Sequence, residues 1–112
     1  MQTQELDKVF HALSDPCRRA MVERLSRGPA SVKEIAAPMR LALPSAVKHL
    51  KVLEEGGIVR STKTGRVRTY GMRPHGLDPV ADWVRQREAA LNAAFDRLAE
   101  AMAAFPEECD DR

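Results

Sequence analysis

The sequence has 112 residues, 44% of them hydrophobic and 30% charged, which suits one compact domain with a real apolar core. No run of about eighteen apolar residues occurs, which excludes a membrane-spanning helix, and the opening MQTQELDKVF lacks the basic-then-apolar layout of a signal peptide, so a cytoplasmic protein is expected. Net charge is only +2 but unevenly spread: residues 31–75 hold nine Lys/Arg against three Asp/Glu, whereas residues 76–112 hold four against nine. A polyanion would meet that basic middle rather than the chain average.

The chain order begins with a helix expected over Gln4 to Leu13, with Leu6, Val9, Phe10 and Leu13 on one face. Ser14-Asp15-Pro16 supplies a break and a restart, in which Asp15 caps and Pro16 takes the first turn of a second helix. That helix is expected to run to about Ser26, to bury Ala20, Met21 and Leu25, and to expose Arg18, Arg19, Arg24 and Arg27 as a solvated basic surface. Ser31-x-x-Glu34 is a capping box that opens a third, short helix, with Val32, Ile35 and Ala36 facing inward and Pro38 limiting it. A turn of a few residues leads into Leu43–Glu55, whose Leu43, Ala46 or Val47, Leu50 and Leu53 recur at helical spacing. Ser45, Lys48, His49, Lys51 and Val52 occupy the rest of its surface, and Gly56-Gly57 stop it. Two helices joined by so short a turn, the second basic, fit a helix-turn-helix.

After Gly57 the period changes to alternation. Residues 58–63 and 67–72 read as two strands around Thr64-Gly65-Arg66, and Arg60, Lys63, Arg66 and Arg68 make the ribbon strongly basic. Edge protection alone does not require four cations and no anion; a hairpin placed after such a helix is a wing that can lay arginine along phosphates or into a minor groove. Asp78-Pro79 repeats the cap-plus-proline device and starts a last helix expected to reach about Phe105. Val80, Val84, Leu91, Phe95, Leu98, Met102 and Phe105 form its stripe, with Trp83 beside it. A helix of that length cannot bury its whole stripe within a small domain, so a seam with a second copy is the natural outlet, and the first helix is its expected neighbour. Residues 106–112 form an acidic tail.

The phrase ALPSAVKHLKVLEEGGIVRS, the following KTGRVRTY and the terminal helix with Trp83 resemble the ArsR/SmtB-type winged-helix repressors, over about Leu6 to Phe105. The most specific part is H-L-K-V-L-E-x-x-G followed by G-R-x-x-x-Y. The resemblance implies a mainly α winged helix-turn-helix with about five helices and a two-stranded wing. It implies a homodimer on palindromic double-stranded DNA, with Ser45, Lys48 and His49 facing the groove, Lys51 nearer the backbone, and Lys63, Arg66 and Arg68 in the wing. The dimer interface would use helices at about 4–13 and 79–105 through Leu6, Val9, Phe10, Trp83, Leu91, Phe95, Leu98 and Met102. Ala42 departs from the pattern, since many relatives cap the recognition helix with serine there.

Members of that family that sense metals use a third-helix or last-helix site. Here Val32 to Met39 has no Cys, His or Asp, and around Asp78 the matching positions are Val80, Ala90 and Ala93. His11, His49 and His75 are scattered, and Cys17 and Cys109 form no C-x-x-C pair, so no metal, cofactor or disulfide is expected. Cys17 sits at a helix start beside Arg18 and Arg19, but burial against the core is expected to keep it unreactive. No nucleophile–base arrangement, paired-carboxylate site or phosphate loop can be assembled, so an enzyme is not expected; the sequence-specific homodimeric repressor that the resemblance implies is the expected function. The alternative is a winged-helix module for protein interaction or non-specific nucleic-acid binding. The effector and operator are not encoded in any motif.

Overall fold

The computed structural model describes residues 2–105; the acidic tail, with Cys109, lies outside the described residues. Five helices and three strands follow in the order α1 (Gln2–Leu13), α2 (Pro16–Leu25), β1 (Ala30–Ser31), α3 (Val32–Met39), α4 (Leu43–Glu55), β2 (Val59–Thr64), β3 (Val67–Met72) and α5 (Asp78–Ala104). The chain divides into two compact units, Met1–Val80 and Ala81–Arg112. Among the described residues no helix is long and apolar enough to cross a membrane.

Local chemistry sets the helix starts of the first unit. Asp15, in extended conformation, accepts the Arg18 N–H at 3.1 Å, and Pro16 fills the first helical position of α2. Ser31 and Glu34 close the capping box of α3 from both sides, at 3.2 and 2.8 Å. α3 ends on Arg40, which adopts the left-handed conformation (φ 55°, ψ 38°), and the Arg40 and Leu41 N–H groups return to the Ala37 and Ala36 carbonyls. Ala42 precedes α4 with cap geometry but makes no side-chain cap bond. Ala42→Ser supplies the missing acceptor and is expected to stabilise the fold by about 1 kcal/mol; thermal melting checks this, with a rise of a few degrees expected.

α4 stops with Gly57 at φ 79°, while the Ile58 N–H bonds the Leu53 carbonyl at 3.0 Å. The hairpin that follows is tighter than its sequence suggests. Thr64 pairs with Val67, leaving Gly65-Arg66 as a two-residue loop with Gly65 at φ 63°. The sheet also has a third strand that alternation did not predict. β1 pairs with β3 through Ala30↔Tyr70 and Ser31↔Thr69, giving the antiparallel order β1-β3-β2. A two-residue strand is too short to show a period.

The core draws on every element of this unit except the wing tip. Met21 and Leu25 of α2, Ile35 and Ala36 of α3, Ala46, Leu50 and Leu53 of α4, and Ile58, Val59 and Tyr70 of the sheet are buried together. Each large side chain removed from water contributes about 1.5–3 kcal/mol. Three expectations change here. Val22 is buried while Ala20 is only half-buried. Val9 is 2% exposed and belongs to this core, so it cannot be offered to a second chain; it sits with Ala12, one turn along the inward face of α1. Leu43 and Val47 are exposed, because the buried stripe of α4 is narrow and runs through Ala46, Leu50 and Leu53.

α5 begins at Asp78, so this residue is a first-turn member rather than an external cap; its carboxylate lies 2.9 Å from His75 Nδ1. Within the second unit Asp82 pairs with Arg85, and the Arg87 guanidinium stacks 5.4 Å from the centre of the Trp83 ring. Leu91, Phe95, Leu98 and Met102 are 54–64% exposed along one side of the helix.

Candidate nucleic-acid interface

α3 and α4 are joined by residues 40–42 and form a helix-turn-helix whose second helix is pinned by its buried stripe. That fixes which side of α4 is free. Ser45 and Lys48 are exposed and three residues apart, as are Lys48 and Lys51, so the three side chains follow one outer surface. Val47 adds an exposed apolar surface beside them, 45% accessible. Sequence periodicity had placed it as an alternative core position; its offset of about 100° from Ala46 sends it outward.

His49 takes a different place. Its side chain is half-buried, with Nδ1 3.2 Å from Arg18 Nη1 and 3.9 Å from Asp15 Oδ2. It lies one turn from Ser45 on α4, and its ring reaches back to the start of α2. Arg18 is the residue that sequence reasoning missed. Rather than lying on a solvated face, it donates from Nε to the Ala12 carbonyl at 2.7 Å and from Nη2 to the His11 carbonyl at 3.1 Å. Those carbonyls close the last turn of α1, where a helix leaves acceptors without partners of its own. Arg19 does the same at Leu13, 2.8 Å away. One guanidinium thus ties the end of α1 and the start of α2 to the middle of α4. Asp15 completes the junction, and the hydrogen bond from the Arg18 N–H holds its carboxyl below the ordinary range, with His49 adding to the effect.

The wing presents Lys63, Arg66 and Arg68, all exposed. Lys63 and Arg68 are direct cross-strand partners, which places two like charges side by side on one face of the hairpin. Such a pair destabilises an isolated ribbon and is relieved by an anion lying across it. Arg68 is further fixed by Nη1 donating to Ser61 Oγ at 2.9 Å, and Ser61 Oγ in turn donates to Glu54 Oε2 of α4 at 3.2 Å. The chain Arg68–Ser61–Glu54 joins the wing to the end of α4, so the two basic elements are held in register with one another.

A family model described as a helix-turn-helix domain matches residues 13–62, covering α2 to the middle of β2. The HTH-type transcriptional regulator Rv2034 of Mycobacterium tuberculosis is 41% identical over 82% of this chain and 76% of its own length. A crystallised ArsR family transcriptional regulator, RHA00566, is 42% identical and superposes with a TM-score of 0.75 over 80% of this chain and 93% of that one. An ArsR-like transcriptional regulator from Rhodococcus sp. RHA1 is 29% identical, with a TM-score of 0.70 over 95% and 96% of the two chains. With five helices, a β2–β3 wing and these relatives, the chain belongs to the ArsR/SmtB family of winged helix-turn-helix transcriptional regulators, a family of repressors rather than enzymes.

Proposed function

We propose that this protein is a cytoplasmic homodimeric repressor that binds an inverted-repeat operator in double-stranded DNA, with residues 1–105 acting as one winged-helix unit. The observation that carries the reading is the pairing of Ser45, Lys48 and Lys51 on the outer side of α4 with a wing whose Lys63 and Arg68 face each other in register. The small and basic groups on α4 suit a major groove, where Ser and Lys hydrogen-bond to base edges and Val47 meets a thymine methyl. Lys63, Arg66 and Arg68 suit the flanking phosphates or minor groove. Two copies with recognition helices about 34 Å apart would read two half-sites on one side of the duplex.

The exposed stripe Leu91, Phe95, Leu98 and Met102 supports the dimer: its spacing is that of a two-helix seam. Trp83 of the same helix, with Leu6 and Phe10 of α1, completes the proposed interface. Val9 is no longer part of it, because the core occupies its surface. His49 leaves the list of direct base contacts for the same kind of reason: it already faces Arg18 and Asp15.

Selection from a random duplex library, at low and near-physiological salt, tests the proposal. An enriched inverted repeat with half-sites one helical turn apart is the expected result. Binding that enriches nothing and vanishes with added salt would leave charge attraction alone and favour the interaction-module reading. On the selected site, Lys48→Ala is expected to cost about 1–3 kcal/mol and relax preference at one base position. Arg66→Ala should instead weaken operator and random DNA alike and flatten the salt slope by about one unit. Fluorescence anisotropy across a salt series separates the two; identical behaviour of both variants would contradict this division of labour.

A further inference from the structure

The junction between α2 and α4 brings His49 to two side chains at the start of α2, more than thirty positions earlier in the chain. A carboxylate oxygen of Asp15, Sγ of Cys17 and a ring nitrogen of His49 all lie within 4.8 Å of one another. Cys17 was expected to be buried; it is half-buried, as are Asp15 and His49, so an ion can reach the cluster from solvent without opening the core. We propose that Asp15, Cys17 and His49 form a binding site for one zinc-class divalent cation, with the fourth position left to water.

The donor set selects the metal class. A thiolate with an imidazole suits zinc or cobalt(II), whereas magnesium and calcium take oxygen ligands. Tetrahedral zinc, with bonds of the usual length, holds such donors roughly 3.3–3.6 Å apart. From separations of at most 4.8 Å, closure needs only rotamer-scale movement of about an ångström. The backbone already fixes two of the three donors, since Asp15 is the cap of α2 and Cys17 lies in its first turn. His49 is fixed from the other side by α4, whose Ala46, Leu50 and Leu53 are buried.

Arg18 Nη1, which can only donate, lies 3.2 Å from His49 Nδ1, where a ring lone pair can accept from it. A neutral imidazole lone pair is what a metal requires. An arriving cation would compete with Nη1 for His49, while Nε and Nη2 of Arg18 keep the Ala12 and His11 carbonyls. The guanidinium charge opposes the ion, and the Asp15 carboxylate offsets it together with the Cys17 thiolate that forms as the thiol releases its proton to solvent on metal binding. Occupancy would replace a hydrogen bond between α2 and α4 by two metal–ligand bonds to α2 and one to α4. The ion would then clamp α4 at a residue lying between Lys48 and Lys51. This site stands or falls independently of operator binding.

Cobalt(II) titration of the reduced full-length protein tests it. One equivalent per chain is expected to bind with a thiolate-to-cobalt charge-transfer absorption, and zinc should displace it. Cys17→Ser should abolish that absorption, and His49→Gln should weaken binding by roughly tenfold or more. Asp15→Asn should also weaken it, yet asparagine caps a helix as well as aspartate does, so this variant should melt like the parent. Cys109→Ser should change nothing. Absence of the absorption at excess cobalt would overturn the site, as would its survival in Cys17→Ser, its loss in Cys109→Ser, or unchanged affinity in Asp15→Asn.

Discussion

Glutamate at both Phe95 and Leu98 is expected to give a monomer that has lost operator affinity by a factor of roughly 100 or more. Both positions are more than half exposed on α5, 58% and 55%, so the new charges stay hydrated in a single chain and cost little there. In a two-helix seam they would lie opposite their own copies, desolvated and of like sign. Half-site binding by one recognition helix then has to proceed without the second, and the lost factor is the effective concentration that linkage supplied, commonly 10²–10⁴. The core of the Met1–Val80 unit contains neither residue, so its thermal transition should stay in place apart from the loss of dimer linkage. Sedimentation across a concentration range reads the oligomeric state, and titration of the selected inverted repeat reads the affinity. A variant that remains dimeric and binds as the parent would place the seam elsewhere.

The elements that were legible in the sequence were those whose signal is local. Asp15-Pro16, Ser31-x-x-Glu34 and the two-glycine stop after Glu55 each satisfy or end a helix through residues three or four apart, and the structure realises each of them. The wing followed from alternation around Gly65, with a turn one residue shorter than expected. What was not legible depends on tertiary approach. β1 is two residues long and exists because β3 runs beside it. Val9 and Phe10 are adjacent on α1 and equally apolar, yet one is 2% exposed and the other 41%; a helical stripe does not reveal which edge faces the core and which faces outward. The family phrase H-L-K-V-L-E-x-x-G that begins at His49 implies a groove contact, but the side chain's contact is with Arg18, 31 positions earlier. The cluster of Asp15, Cys17 and His49 was invisible for the same reason, since no metal motif has that spacing.

Arg18→Ala is expected to produce the second large effect, a loss of about 2–4 kcal/mol and a fall in melting temperature of roughly 10–20 °C. The side chain is part-buried and serves three acceptors at once: the Ala12 carbonyl, the His11 carbonyl and His49 Nδ1. Deleting it leaves the Ala12 and His11 carbonyls with no charged donor and His49 Nδ1 without its Arg18 contact, and such hydrogen bonds to a charged group are each worth about 1.5–3 kcal/mol without being additive. Arg18→Lys should recover less than half of the loss, because one ammonium cannot span three acceptors that a planar fork reaches together. The consequence for DNA follows from position. Arg18 is the link that couples the α1–α2 corner to α4, so a lysine variant that still folds should lose operator affinity while its binding to random duplex, which the proposed function gives to Lys63, Arg66 and Arg68, stays close to that of the parent. Chemical denaturation and anisotropy on the two duplexes measure both quantities. If Arg18→Ala melts within a degree or two of the parent, the three bonds exchange with water at no net cost and the junction does not hold α4; if it unfolds early but the lysine variant keeps full discrimination, the junction stabilises the fold without aiming the helix.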